Sequence, residues 1–161
     1  MNKNKILIIG ANGQLGSVLT QELQKLYGED NIIASDISDK ENFQGLFEII
    51  DATDFDAIQN IVNKYSINEI YHLAAILSAK GEQDPLWTWD LNMKMMLNVF
   101  EVARLSNVEK VFFPGSIAVF GDAVERVDTP QDSFLNPATV YGMSKAAGEN
   151  WAQYYFEKYD L

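Results

Sequence analysis

The sequence predicts an α/β domain built on a doubly wound parallel sheet. Two observations point there. Five short β-rich apolar runs alternate with longer helical patterns along the chain, and a glycine-rich turn joins the first run to the first helical pattern. Strands buried on both faces read as nearly unbroken apolar runs, and right-handed crossovers between them place helices over the sheet. With 161 residues, 47% of them apolar, the chain suits one domain with its own core, spanning residues 1–161.

Taken in order, the first strand is KILIIG (5–10) and the first helix LGSVLTQELQKLY (15–27), closed by Gly28 where a C′ residue is wanted. NIIASD (31–36) and LFEIID (46–51) are the next two strands, and Asp54 supplies a capping side chain for the helix DFDAIQNIVNKY (54–65). EIYHLA (69–74) is the fourth strand. The helix around 88–106 is apolar all round, through Leu91, Met95, Met96, Val99, Phe100 and Val102. Such a helix is either trapped between the sheet and a neighbouring helix or contributes to a dimer interface. KVFFPGS (110–116) is the fifth strand. A long loop follows over 117–139, where Pro130 and Pro137 argue against regular structure, and MSKAAGENWAQYYFEKY (143–159) is the last helix.

Charge and composition exclude several function classes. Twelve basic residues stand against 23 acidic ones, a net charge of −11, and no basic patch forms, which argues against nucleic acid and anionic membrane as partners. The absence of cysteine rules out disulfides, thiol nucleophiles and cysteine zinc sites. The apolar run near the N-terminus is too short for a signal-peptide core, and no stretch is long enough for a membrane span, so a cytoplasmic location is expected.

GANGQLG (10–16) ends the first strand and opens the first helix. Gly10 permits the tight turn, Gly13 lets a pyrophosphate approach the backbone and Gly16 allows close packing, while the helix start offers amide donors. Ser17 stands where a nucleoside-triphosphate loop needs lysine. Asp36 ends the second strand about 20 residues beyond Gly16, placed to accept hydrogen bonds from an adenosine ribose. The same carboxylate would repel the extra phosphate of NADP, and Ile37 and Ser38 offer no arginine to receive it, so NAD is the expected cofactor. A solvated acid at a strand end is the alternative. Asp51 ends the third strand in DATD (51–54), and one of these carboxylates could approach the adenine edge, with Asp54 having a competing role as a helix cap. The lone histidine, His72, lies inside a strand pattern without partner ligands and is expected to be a hydrogen-bonded core residue; no metal site is expected.

Tyr141 and Lys145 are spaced to share one helix face. A free tyrosine has a pKa of about 10, and a neighbouring ammonium favours its phenolate, so the pair could draw a proton from an alcohol. Ser116, expected at the end of the fifth strand, borders the ligand crevice of an open α/β sheet and could hold the same oxygen; its alternative is a bond to its own backbone.

GANGQLG, Asp36, HLAA (72–75), Ser116 and YGMSK (141–145) together resemble the pattern of the extended short-chain dehydrogenase/reductase family, including the separation of Ser116 from Tyr141. Within it the chain is most similar to the L-threonine 3-dehydrogenase branch, through NIIASDI (31–37), YHLAAILSAKGEQDPLWTWDLNM (71–93), PGSIAVFGD (114–122) and TVYGMSKAAGE (139–149). The resemblance implies a Rossmann fold with strand order 3-2-1-4-5 and oxidation of L-threonine to 2-amino-3-ketobutyrate by hydride transfer to NAD. Tyr141 would be the base, Lys145 would tune it and hold the nicotinamide ribose, and Ser116 would orient the hydroxyl. Cofactor contacts implied in the glycine loop are Gly10, Asn12, Gly13, Gln14, Leu15 and Gly16. Beyond it they are Asp36, Asp51, Ala52, Leu73, Ala74, Ala75 and Asn92, with Tyr141 and Lys145. Ser78 would join Ser116 and Tyr141 at the substrate.

A nucleotide-sugar epimerase or dehydratase of the same family is the rival, and a non-catalytic NAD-binding module the third reading. Gly115 departs from the family pattern, which has a second serine there. Family members continue for about as long again, with further strands and a substrate-closing region. The 161 residues are therefore expected to be an N-terminal part with little turnover alone, from a parent that is a homodimer.

Overall fold

A computed structural model of the chain describes residues 4–122 and 124–161. Its five strands are β1 (Ile6–Ile9), β2 (Ile32–Asp36), β3 (Leu46–Ile49), β4 (Glu69–His72) and β5 (Lys110–Phe112). They pair in parallel in the order β3-β2-β1-β4-β5, the order expected. Five helices complete the fold: α1 (Gln14–Tyr27), α2 (Phe55–Tyr65), α3 (Ser78–Gly81), α4 (Pro85–Leu105) and α5 (Val140–Tyr159). None of the described helices is long and apolar enough to cross a membrane.

The central strand explains the apolar runs. All of β1 is buried, and alternation of its side chains feeds two cores at once. Leu7 and Ile9 join Ile33, Ile70 and the α2 and α4 residues Ile58, Val62, Val99 and Val102, whereas Ile6 and Ile8 pack with Ile32, Ala34 and Leu23 of α1. The β-strand register brings Ile9 level with both Ser35 and His72, so the ends of β1, β2 and β4 open onto one crevice.

Local chemistry fixes the element ends. Gly28 closes α1 with φ +91°, Asp54 caps α2 by accepting from the Ala57 N–H at 3.1 Å, and Asp84 caps α4 by accepting from the Trp87 N–H at 3.2 Å. The apolar girdle of α4 has a simple cause: the helix lies between α2 and α5 with strands beneath it. Met96 and Phe100 meet Tyr155 of α5 on one side, while Val99 and Val102 enter the sheet core on another.

Several element boundaries differ from expectation, α4 starting at Pro85 and β3 ending at Ile49 among them. The fifth strand stops at Phe112 instead of reaching Ser116, because Pro114 has no N–H to donate to a ladder. Ser116 instead caps a short 3-10 turn, Ile117–Val119. The last helix begins at Val140, so Tyr141 lies in its first turn, and the one-turn α3 was not anticipated.

Candidate active site

The glycine turn is suspended between two strands. Gly10 and Ala11 both donate to the Ser35 carbonyl at 2.9 Å, and Leu73 and Ala74 donate to the Ile9 carbonyl at 2.8 and 3.1 Å. Gly10 has φ +93°, and a Cβ there would come within 2.7 Å of the Ala74 nitrogen. A Cβ on Gly16 would collide with the Gly10 carbonyl oxygen, which is how α1 starts so close to the turn. The start of α1 carries no side-chain cap, and the N–H groups of Gln14, Leu15 and Gly16 have no acceptor among the described residues. Free amides at the positive end of a helix dipole suit phosphate oxygens.

Asp36 faces this turn. One carboxylate oxygen accepts from the Asn12 N–H at 2.9 Å and the other from the Ile37 N–H at 2.8 Å, leaving lone pairs for further donors. Asn12 donates its amide to the Ser38 carbonyl at 2.8 Å, while its Oδ1 is buried without a partner. The cleft between them has a volume of about 470 Å³ and is lined by Gly10, Asn12, Gly13, Asp36, Asp51, Ala52, Leu73, Ala74 and Ala75, with Ile37, Leu91 and Met95 as apolar walls. An orphaned acceptor, unpartnered amides and apolar walls fit a dinucleotide diphosphate with its ribose and adenine.

Two implied cofactor residues are otherwise engaged. Asp51 accepts from the Thr53 N–H at 2.8 Å, turning one oxygen into its own loop. Asn92 accepts from the Ile76 N–H at 2.8 Å and donates to the Ile76 carbonyl at 3.0 Å and the Ser144 hydroxyl at 3.3 Å. It braces the loop after β4 against α4 and α5 from behind the cleft.

The second half of the site is built around the start of α5. Thr139 accepts from the Gly142 N–H at 3.0 Å, and Glu82 reaches from the α3 segment to accept from the Val140 N–H at 2.8 Å. Gly142 lets this first turn press onto the 3-10 turn: a Cβ there would strike the Ala118 carbonyl oxygen and lie 2.9 Å from Pro137 Cβ. Ser116, heading the 3-10 turn, and Tyr141, beside Gly142, are thereby carried by touching backbones.

Lys145 follows one turn later and is only 4% exposed. Its Nζ donates to the Pro114 carbonyl at 2.9 Å and lies 5.7 Å from the centre of the Tyr141 ring. Burial pushes its pKa down to about 8, an effect opposed by the Glu149 carboxylate. Ser116 Oγ accepts from the Ala118 N–H at 3.2 Å, as its alternative reading held, yet its own proton stays available to an oxygen in the adjoining cleft of about 610 Å³. Gly115 lines that cleft, and a Cβ on it would meet Glu149 Oε1 at 3.1 Å, so Glu149 occupies the approach a second serine would need. Ser78 Oγ sits 3.4 Å from Thr139 Oγ1, at the threshold of α5.

His72 is buried within β4, but the hydrogen-bonded core role expected of it holds only in part, since its Nδ1 has no partner. Burial, with Lys145 adding to it, pushes its pKa down to about 3 and keeps the ring neutral. Sequence reasoning missed Gly142, Thr139 and Glu82 as organisers of the site. Only Thr139 carried a readable signal, that of a capping residue just ahead of a helix.

Residues 6–161 match the NAD dependent epimerase/dehydratase family. An uncharacterized epimerase/dehydratase of Staphylococcus aureus strain USA300 is 42% identical over 98% of the chain and 50% of its own length. Among solved structures, the holo form of a GalE-like L-threonine dehydrogenase from Cupriavidus necator is similar with a TM-score of 0.94 and 44% identity, over 98% of the chain and 52% of that protein. A Thermus thermophilus UDP-glucose 4-epimerase complexed with NAD is similar with a TM-score of 0.88 and 25% identity, over 98% and 52%. The chain thus spans about half the length of these relatives. With that match over nearly its whole length, the chain belongs to the NAD dependent epimerase/dehydratase family, and its cofactor is NAD.

Proposed function

We propose that the chain is the NAD-binding and catalytic-residue part of an L-threonine 3-dehydrogenase. The observation that carries this reading is the packing of the α5 start on the Ser116 turn, which gathers Ser116, Tyr141 and Lys145, in a chain 44% identical to a threonine dehydrogenase over nearly all its length. NAD, when bound, supplies the hydride acceptor. Tyr141 takes the proton of the 3-hydroxyl, Lys145 brings its ammonium to 5.7 Å from the Tyr141 ring from one turn along α5, and Ser116 donates to the substrate oxygen while its own Oγ is held by Ala118. Ser78, beside Thr139 at the start of α5, is the candidate contact to the amino-acid substrate. The cofactor rests on the glycine turn, the free amides of α1 and Asp36. Exposed Leu86 and Trp89 of α4 and Trp151 and Tyr154 of α5 support a homodimer of the longer protein.

A nucleotide-sugar epimerase or dehydratase is the second reading, favoured by the family match and by the UDP-glucose 4-epimerase likeness. Calorimetric titration of the chain with NAD and NADP, followed by L-threonine or UDP-glucose added to the NAD complex, separates the two. Binding of NAD over NADP with a response to threonine supports the first. A response to the sugar alone transfers the assignment to the second. Saturable NAD binding with silence to both substrates fits a cofactor-binding part that lacks its substrate-closing portion.

A further inference from the structure

Phe113 directly follows the last residue of β5, between Phe112 and the Pro114 whose carbonyl accepts from Lys145, and its ring is held on several sides. The ring stacks near His72 with centroids 6.0 Å apart and meets Phe100 at 6.2 Å. On the α5 side it enters a notch made by Gly148, where an added Cβ would lie 2.6 Å from Phe113 Cζ and 2.9 Å from Met96 Sδ. Lys145 is on the same helix, and its Nζ lies 4.1 Å from the centre of the Phe113 ring, within the range at which an aromatic face attracts a cation.

The remaining neighbours of this ammonium give it little charge compensation. The Pro114 carbonyl accepts one hydrogen bond, the buried His72 is neutral, Tyr141 presents its ring at 5.7 Å, and Glu149, one turn along α5, is the one anion among the described residues acting on it while itself exposed. A buried cation with one carbonyl acceptor and a screened carboxylate has strong reason to lose its proton.

We propose that Phe113 is a positioning residue of the site: seated in the Gly148 notch, its ring face holds the Lys145 ammonium in place and in its charged form. This rests on the catalytic reading above, in which Lys145 serves Tyr141 from one turn along α5. The pairing also explains why a large aromatic is accommodated directly against a helix backbone, where Gly148 forgoes packing of its own to admit the ring edge.

The test is the titration of Lys145 in the full 161-residue chain, followed by NMR of lysine carbons next to the ammonium and assigned with Lys145→Arg. Parent Lys145 is expected to titrate near 8, below the exposed lysines. Replacing Phe113 by phenylalanines of increasing ring fluorination weakens the face while nearly preserving shape, and should lower the midpoint stepwise, by about one pH unit in all. Phe113→Leu should lower it by a similar amount, and Phe113→Trp should hold it at or above the parent value. A midpoint unmoved across the fluorinated series, or equal in the Leu and Trp variants, overturns the proposal. The fluorinated series keeps the answer available even if Phe113→Leu fails to fold. Failure of the threonine reading would show instead as a sugar-specific response of the NAD complex and leaves this titration untouched.

Discussion

The glycine-turn cleft and the corner proposed to hold the chemistry are built from different materials. The cleft is mostly backbone: amides of the α1 start, carbonyls at the ends of β1 and β2, and glycines whose missing Cβ atoms make room. The corner is mostly side chain: a hydroxyl, a phenol and a buried ammonium carried on a loop and a helix start. A backbone site forgives exchanges of side-chain chemistry but not added volume, while a side-chain site responds in the opposite way. Cofactor binding and catalysis should therefore come apart under mutation.

The sharpest separation is expected from Tyr141→Phe, which removes the proton acceptor and keeps the ring. Threonine-dependent NAD reduction by the longer protein should fall by about 10²–10⁴, with NAD affinity measured calorimetrically unchanged within about twofold. An unchanged rate would remove Tyr141 from the chemistry. Gly16→Val should do the reverse damage, since its Cβ overlaps the Gly10 carbonyl. A loss of NAD affinity of about a hundredfold and a destabilisation of about 3 kcal/mol are expected, read by calorimetry and urea unfolding. Near-parental NAD binding would mean that the phosphates rest elsewhere.

The buried titratable groups sharpen the contrast through pH. His72 is held at about 3 in the fold against an ordinary 6.5, so the unfolded chain takes up its proton first as pH falls, and stability present above pH 6.5 is progressively lost toward pH 3. His72→Leu should flatten that loss, retaining about 2 kcal/mol more of its neutral-pH stability than the parent does at about pH 4. Parallel acid-unfolding curves would show that the folded protein accepts the proton. Lys145 works in the alkaline range: with its pKa lowered from 10.5 to about 8, the cost of burying its charge is fully present below pH 8 and disappears as pH rises to 10.5. Lys145→Met should thus be more stable at neutral pH by about 1–2 kcal/mol, with the gap closing toward pH 10.5. A less stable variant would mean that the Pro114 and Phe113 contacts outweigh the desolvation.

The cleft was largely legible in the sequence because its rules are local. GANGQLG states a backbone shape, and Asp36 follows at a distance fixed by one helix and one strand. The corner was legible only as a list of reacting groups. Ser116 was expected on a strand although Pro114 stands ahead of it to end β5, and nothing nearby shows that the Pro114 carbonyl passes to Lys145. Asn92 and Glu82 are braces whose partners lie far away in sequence, at Ile76 and Val140, and such pairings leave no period or spacing to read. Gly142 and Gly148 are silent for the same reason, since a glycine inside a helix pattern signals only a weak position until the opposing backbone or ring is seen.

The order of the strands has a consequence for how such a site can diversify. β1 carries the glycine turn, β4 the loop that begins at Leu73, and β5 the link to Ser116, and these three are consecutive neighbours in the sheet. The sheet thus acts as a fixed ruler between the glycine turn and the Ser116 link, graduated in steps of about 4.8 Å. Loops beyond the strands can be exchanged without altering that length.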